Sequence, residues 1–303
     1  MSRILSRALP WFPPAKLPYR GGESLGDTVR VLTDEDTAAL RGLVAQDPVA
    51  NIFMDAQLEA TGSAAPTPTG SLVLGRYDSG ELRSALWVGA NLVPIQAGPG
   101  DALAFATAVL GMDRQVSSIF GPATAVLPLW DSMRPESSQR AFDVRASQPL
   151  MVLDRQPSIL PSTSVRRSTM TDFDAVLPAC AAMFEEELGY SPLGAGGPFY
   201  RSRVRSLIRQ GHSFVDRPAD GGIRFKAELG TVSPRATQIQ GVWVAPEHRG
   251  EGLSGPSMAA VAGSALALAP VTSLYVNNYN LAAVATYRRA GFEQVGEFAT
   301  VLF

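Results

Sequence analysis

The sequence of 303 residues predicts an α/β fold of mixed α+β type, a mixed β-sheet flanked by helices, built twice. Three observations lead to this. Strand-like and helix-like segments alternate along the whole chain. Hydrophobic residues make up 46%, enough for packed cores and too many for a disordered chain. Two segments also open alike. Val29-Arg30-Val31-Leu32-Thr33-Asp34-Glu35-Asp36 and Val165-Arg166-Arg167-Ser168-Thr169-Met170-Thr171-Asp172 each read as a short strand and an acidic helix start, followed by an apolar helical stretch.

The length suits two domains of about 100–200 residues each. The stretch 154–164, with two prolines and three serines, reads as a linker. The domains are therefore expected at 28–153 and 165–303, after an irregular Pro- and Gly-rich leader at 1–27. The leader packs on the surface in this reading; the alternative is a docking arm for a second copy of the chain, a homodimer.

Each element has its own signal. In the first domain a strand is expected at 29–33 and helices at 34–46 and 47–58. Asp78-Ser79-Gly80 is a turn sequence, so 72–77 and 82–88 form a hairpin. A strand at 92–96, an alanine-rich helix at 101–110, a strand at 118–121, a helix at 126–133 and a strand at 150–153 follow. In the second domain a strand at 165–167 leads into a helix at 172–187 capped by Thr171 or Asp172, then a helix at 199–210. A hairpin of 213–216 with 223–229 turns at Asp220-Gly221-Gly222. A strand at 238–244, a helix at 252–269, a strand at 272–276, a helix at 280–290 and one or two strands in 293–303 complete it.

Composition removes several function classes. Lys plus Arg is 26 and Asp plus Glu is 28, a formal net charge of −2, so no nucleic-acid-binding field is expected. One cysteine excludes an internal disulfide, and with two histidines no metal site is expected. No segment has the run of about 18 apolar residues that a spanning helix needs, nor a signal-peptide core, so no membrane partner and a cytoplasmic setting are expected.

The chemistry concentrates in Val242-Trp243-Val244-Ala245-Pro246-Glu247-His248-Arg249-Gly250-Glu251-Gly252-Leu253-Ser254-Gly255. An apolar strand runs through a Pro turn and a glycine-rich turn into a helix. Glycines let main-chain N–H groups approach an anion, and the helix N-terminus favours negative charge, so the segment suits a phosphate or diphosphate. Arg249 adds a cation. A P-loop is excluded because no Gly-Lys-Ser/Thr triplet occurs. Gly250, Gly252 and Gly255 spell GxGxxG, but the dinucleotide version needs an acid about 20 residues on, and none lies between Glu251 and Glu293.

The remaining pattern is Arg/Gln-x-x-Gly-x-Gly/Ala after a strand ending Val-x-x-Pro, here Arg249, Gly252 and Ser254. It resembles the coenzyme A turn of GNAT N-acetyltransferases. Asn280-Leu281-Ala282-Ala283 with Tyr287 and Gly291-Phe292 resembles a second segment of that family, in the same order. The layout is similar to two-domain actinobacterial GNAT proteins, in which a degenerate GNAT-like domain precedes the catalytic one. Two departures stand out: Ser254 replaces the second Gly or Ala, and Pro256 falls early in the next helix. The first half has no such turn; its nearest stretch, Ala97-Gly98-Pro99-Gly100, lacks the arginine.

The resemblance implies roles. Val242, Trp243 and Val244 offer main-chain groups to the pantetheine arm. Gly250, Glu251, Gly252, Leu253, Ser254 and Gly255 hold the diphosphate, and Asn280 touches the arm. Tyr287 protonates the leaving thiolate; a phenol with a pKa of about 10 is protonated at neutral pH. It implies acetyl-CoA or another acyl-CoA as co-substrate, no metal, an unidentified amine acceptor and direct transfer in a ternary complex. The rival reading is a non-catalytic coenzyme A sensor.

The acceptor must lose a proton. Glu228 is the first candidate base and the group Glu185, Glu186 and Glu187 the second; their bland readings are an outward-facing strand residue and a solvated helix end. Arg201, Arg205 and Arg209 recur every four residues, with Arg203 beside them, as a solvated face or a grip for an acidic group. The loop 189–197 is an acceptor lid or a connector. Cys180, His212 and His248 read as structural or surface residues.

Overall fold

A computed structural model describes residues 19–26, 28–194, 196–219 and 221–303. Most of the expected leader, together with Asp220 of the expected second hairpin turn and Ala195 of the expected loop, lies outside the described residues.

In chain order the elements are β1 (Val29–Val31), α1 (Thr37–Val44), α2 (Ile52–Thr61), β2 (Leu72–Asp78), β3 (Glu81–Val88), β4 (Asn91–Ile95), α3 (Ala102–Gly111), β5 (Ser118–Pro122), α4 (Ala123–Met133) and β6 (Asp143–Leu153). They continue with β7 (Val165–Arg167), α5 (Phe173–Leu188), α6 (Gly197–Arg209), β8 (Ser213–Asp216), β9 (Phe225–Val232), β10 (Thr237–Val244), α7 (Ser254–Leu266), β11 (Thr272–Tyr275), α8 (Leu281–Ala290) and β12 (Glu293–Leu302). None of the described helices is long and apolar enough to cross a membrane.

The chain divides into two units. One comprises the described residues up to Gln148 with Gly296–Phe303, the other Pro149–Val295. In the first unit the strand order is β1-β2-β3-β4-β5-β12, and in the second β7-β8-β9-β10-β11-β6. Both follow one plan. Neighbours pair antiparallel except β4 with β5 and β10 with β11, which run parallel across a helix, α3 or α7. A parallel pair needs such a crossover.

The sequence-based boundaries need correcting. Each unit takes its last strand from the other half of the sequence. Leu150–Leu153 pair with Tyr275–Thr272, and Phe298–Leu302 pair with Pro122–Ser118. Residues 154–164 are packed rather than a free linker: Ser158 N–H donates to Ala290 O at 2.9 Å, Ser162 N–H to Pro256 O at 2.9 Å, and Ile159 packs on the second core. The polar residues that made this stretch resemble a linker bond to helix ends. The strand ahead of it begins at Asp143, earlier than its apolar portion suggests.

The apolar faces of α3 and α4, and of α7 and α8, pack on strands of their own unit. Phe105, Val109, Leu129 and Trp130 of α3 and α4 pack with Val31, Leu74 and Val301. Met258, Val261, Ala262 and Tyr287 of α7 and α8 pack with Phe225, Ile239 and Leu274.

The sequence repeat is a structural one. Arg30 forks onto Asp36 at 2.7 and 2.8 Å, and Arg166 onto Asp172 at 2.8 and 2.9 Å. Each carboxylate also accepts the N–H of the threonine three residues earlier, Thr33 or Thr169, at 2.8 Å. The second helix start is therefore organised by Thr169 and Asp172, not capped by Thr171. Arg217 adds a contact to Asp172 at 3.2 Å. The hydrogen bonds from Arg30 and Arg166 hold Asp36 and Asp172 well below the ordinary carboxylate range, against the opposing effect of burial.

A carboxylate whose folded pKa is depressed contributes stability that is full above its unfolded pKa of about 4 and is lost as pH falls. Unfolding free energy should therefore fall as pH drops from about 5 toward the strongly acid end. Asp172→Asn should cost about 2 kcal/mol at neutral pH, between exposed and buried ion pairs. Denaturant melts across pH should show that difference shrinking at low pH. A constant difference would assign the effect to packing.

Candidate active site

The site of the second unit begins where β10 leaves its parallel neighbour. The two strands pair at Thr237↔Thr272 and Gln238↔Ser273. Beyond these positions no further β10–β11 pairing joins the described residues, although β10 continues to Val244 and β11 to Tyr275. On its other side β10 stays paired with β9: Gln240 faces Glu228 and Trp243 faces Lys226, with an extra residue bulged at Gly241–Val242. Gly241 has φ +60°, which a residue without a Cβ adopts readily. The half-buried segment Val242–Val244 thus presents one main-chain edge free of strand pairing toward β11, the arrangement expected for an extended arm.

The chain then makes the phosphate-like turn. Gly250 and Gly252 have φ of +88° and +78°, values L side chains rarely adopt, so the turn depends on glycine. Helix α7 starts at Ser254 after Leu253. Pro256 consequently sits in the first turn, where main-chain donors lack intrahelical partners and proline is tolerated. Ser254 Oγ stands 3.5 Å from Thr286 Oγ1 of α8. Gly255 is buried, and a Cβ there would stand 3.2 Å from Ile159.

Arg249 departs from its expected role. Its guanidinium braces the turn, donating to Val244 O at 3.0 Å and to Glu186 at 2.7 Å. Glu186 also accepts from the Trp243 indole at 3.1 Å. One carboxylate at the end of α5 thereby clasps β10 and the turn. The Glu251 side chain turns aside to His248, 3.1 Å away.

Asn280 caps α8: its Oδ1 accepts the Ala283 N–H at 3.2 Å. One turn or more further on, Tyr287 is buried among Phe292, Leu274 and Met258. No hydrogen bond to its hydroxyl is found among the described residues. Burial, then the nearby Glu187 charge, push its pKa up, so it remains a proton donor well past neutral pH.

Glu228 is neither outward-facing nor free. It is 6% exposed and accepts from Lys226 Nζ at 2.7 Å and from Cys180 Sγ at 3.3 Å, with Arg203 at 3.8 Å. Burial acts to raise its pKa, but Lys226 and Arg203 outweigh it and hold the carboxyl below its ordinary value. A carboxylate so engaged suits a structural ion pair better than a base. Burial pushes the Cys180 thiol up to about 12, so it is no nucleophile.

The expected arginine stripe breaks up: Arg203 turns to Glu228, Arg205 stacks over Phe173 at 4.3 Å, and Arg201 and Arg209 stay exposed. Sequence reading missed Lys226. It is one of two lysines in the chain and alternates with Glu228 along an apolar strand, the signal that could have identified it.

The first unit lacks these features at the corresponding places. Its turn after β4 leads into α3 through Asp101, whose carboxylate accepts the Gly98 N–H at 2.7 Å and pairs with Arg76 at 2.6 Å. The chain's own carboxylate takes a main-chain donor that an anion would need. Seven residues after Pro122, which precedes α4, stands Leu129, where α8 carries Tyr287 seven residues after Asn280.

Among the described residues no group of three or more His, Cys, Asp or Glu is placed to hold a metal. Comparison with known proteins finds two family models. Residues 196–292 match the acetyltransferase (GNAT) family, and residues 71–176 match a domain of unknown function, DUF4081. No curated protein matches the chain. Among solved structures, a GNAT-family acetyltransferase from Colwellia psychrerythraea is 12% identical, with 91% of this chain and 100% of that one covered and a TM-score of 0.55. A GCN5-related N-acetyltransferase from Sphaerobacter thermophilus is 18% identical over 92% and 96% of the two chains, TM-score 0.57. A tandem GNAT protein from the clavulanic acid biosynthesis pathway is 18% identical over 90% and 98%, TM-score 0.53. At these identities the likeness is one of fold, and it extends over both units. The turn, the parted strands and the family match coincide in one place: the chain carries a GNAT-family acetyltransferase domain in its C-terminal half.

Proposed function

We propose that the second unit transfers an acyl group, acetyl in the first instance, from coenzyme A to an amine acceptor within a ternary complex. The observation that carries this reading is the parting of β10 from β11 between a glycine turn at a helix N-terminus and a buried phenol. The diphosphate would take the N–H groups of residues 250–255. The arm would lie along Val242–Val244, near Asn280, with the thioester toward Tyr287.

Transfer requires the amine nitrogen to attack the thioester carbonyl, the C–S bond to break and the thiolate to gain a proton. Tyr287, protonated and without a protein partner among the described residues, supplies that proton or a hydrogen bond to the developing thiolate. Of the acids considered for the acceptor's proton, Glu228 is ion-paired and Glu186 is held by Trp243 and Arg249. Of the other two, Glu185 and Glu187, the proposal favours Glu187 because its charge reaches Tyr287. With Cys180 buried as a thiol, direct transfer is favoured over a covalent acyl-enzyme.

The first unit serves as a degenerate partner domain in this reading, because Asp101 fills the anion end of its turn. Calorimetry with acetyl-CoA should accordingly give one site per chain. Two equivalent sites would overturn the assignment of the first unit.

Gly252→Ala should weaken acetyl-CoA by about tenfold, since a positive φ costs an L residue about 1–2 kcal/mol. No atom lies within 4 Å of a Cβ built there, so the fold should persist. Unchanged affinity would remove the turn from the site.

Tyr287→Phe should lower kcat by about 100-fold or more, with the acetyl-CoA Kd held within about twofold. Thiol release with a panel of amines reads the first and calorimetry the second. Full turnover in this variant would take the proton-donor role from Tyr287.

A further inference from the structure

The buried charges beneath β10 have no part in the chemistry above. Lys226 is fully buried, and Glu228 nearly so. As residues i and i+2 of β9 they share one face, which Cys180 and Met183 of α5 and Arg203 of α6 cover. The Lys226 ammonium donates to Glu228 Oε1 at 2.7 Å and approaches Met183 Sδ at 3.7 Å. Burial acts to lower its pKa, but Cys180 and the Glu228 carboxylate together outweigh it and hold the amine above its ordinary value. Removing two charges from water is costly, and well-packed apolar residues often replace such a pair without loss of stability. Its position offers a better reason for it.

Lys226 and Glu228 stand opposite the bulge. They pair with Trp243 and Gln240, the residues that bracket Gly241–Val242. A Cβ placed on Gly241 would lie 3.2 Å from Lys226 Nζ and 3.3 Å from the Glu228 carboxyl. The ion pair thus fills the space that the missing side chain leaves, and it backs the main chain where β10 diverges from β11. Its members are fixed from both sides, by the β9 main chain and by the groups of α5 and α6.

We propose that the Lys226–Glu228 pair is a positioning device: it holds the bulge at Gly241–Val242, and through it the main-chain edge of Val242–Val244 that receives the arm of the acyl-CoA. Among the described residues no hydrogen bond or ion pair joins it to the diphosphate turn or to Tyr287. It acts on the arm alone. This inference rests on the acyl-CoA reading and adds to it two residues that act through β10.

Calorimetry with two ligands separates this role from general stability. Acetyl-CoA uses both the turn and the arm site, whereas ADP carries the diphosphate without the arm. In the charge-neutral double variant Lys226→Met with Glu228→Gln, acetyl-CoA should weaken about tenfold while ADP stays within about twofold. Equal weakening of both ligands, or full acetyl-CoA affinity in the folded variant, would overturn the proposal. If the double variant does not fold, Gly241→Ala tests the same point. Its Cβ contests the space of the ion pair, and it should show the same selective loss; unchanged affinity for acetyl-CoA would again overturn it. A wild-type chain that binds no acetyl-CoA would instead refute the acyl-CoA reading itself.

Discussion

The structure of the second unit depends on one constraint: two parallel strands that start together must part before the site. β10 and β11 share two residue pairs and then separate. A strand edge left unpaired inside a protein carries donors and acceptors that need partners. In the proposed function an extended ligand arm meets that need, with the flanking features arranged about it. The glycine turn lies at the end of β10 and the phenol on the helix after β11. Glu186 joins α5 to both Trp243 and Arg249, fixing the end of the strand.

The same plan occurs twice, with different outcomes. Both units open with an arginine forked onto an aspartate, and the strands of both units follow the same order with a single parallel pair. What differs lies at the helix starts after the parallel strands. In the second unit the turn is formed by Gly250 and Gly252 with positive φ. In the first, Asp101 satisfies the turn internally and Leu129 lies in the core. On the proposed reading, shared architecture does not carry shared chemistry, which resides in a few residues placed on it.

Much of this was legible in the sequence because its signals are local. Strand, turn and helix periodicity located nearly every element, and the family resemblance carried by Arg249, Gly252, Asn280 and Tyr287 pointed to the proposed site. What could not be read depends on partners distant in sequence. Glu228 can face either side of a strand, and only the folded sheet shows Lys226, Cys180 and Arg203 around it. The engagement of Arg249 with Glu186 spans 63 residues. The exchange of terminal strands escaped for a similar reason: the sequence of β12 reads as a strand without naming the sheet it joins.

A crystal structure of the chain with acetyl-CoA bound tests the central claim most directly. The account places the diphosphate on the main chain of residues 250–255 and the arm against Val242–Val244, with the thioester sulfur at hydrogen-bonding distance from the Tyr287 hydroxyl. A coenzyme bound elsewhere, or a sulfur beyond the reach of that hydroxyl, would contradict it.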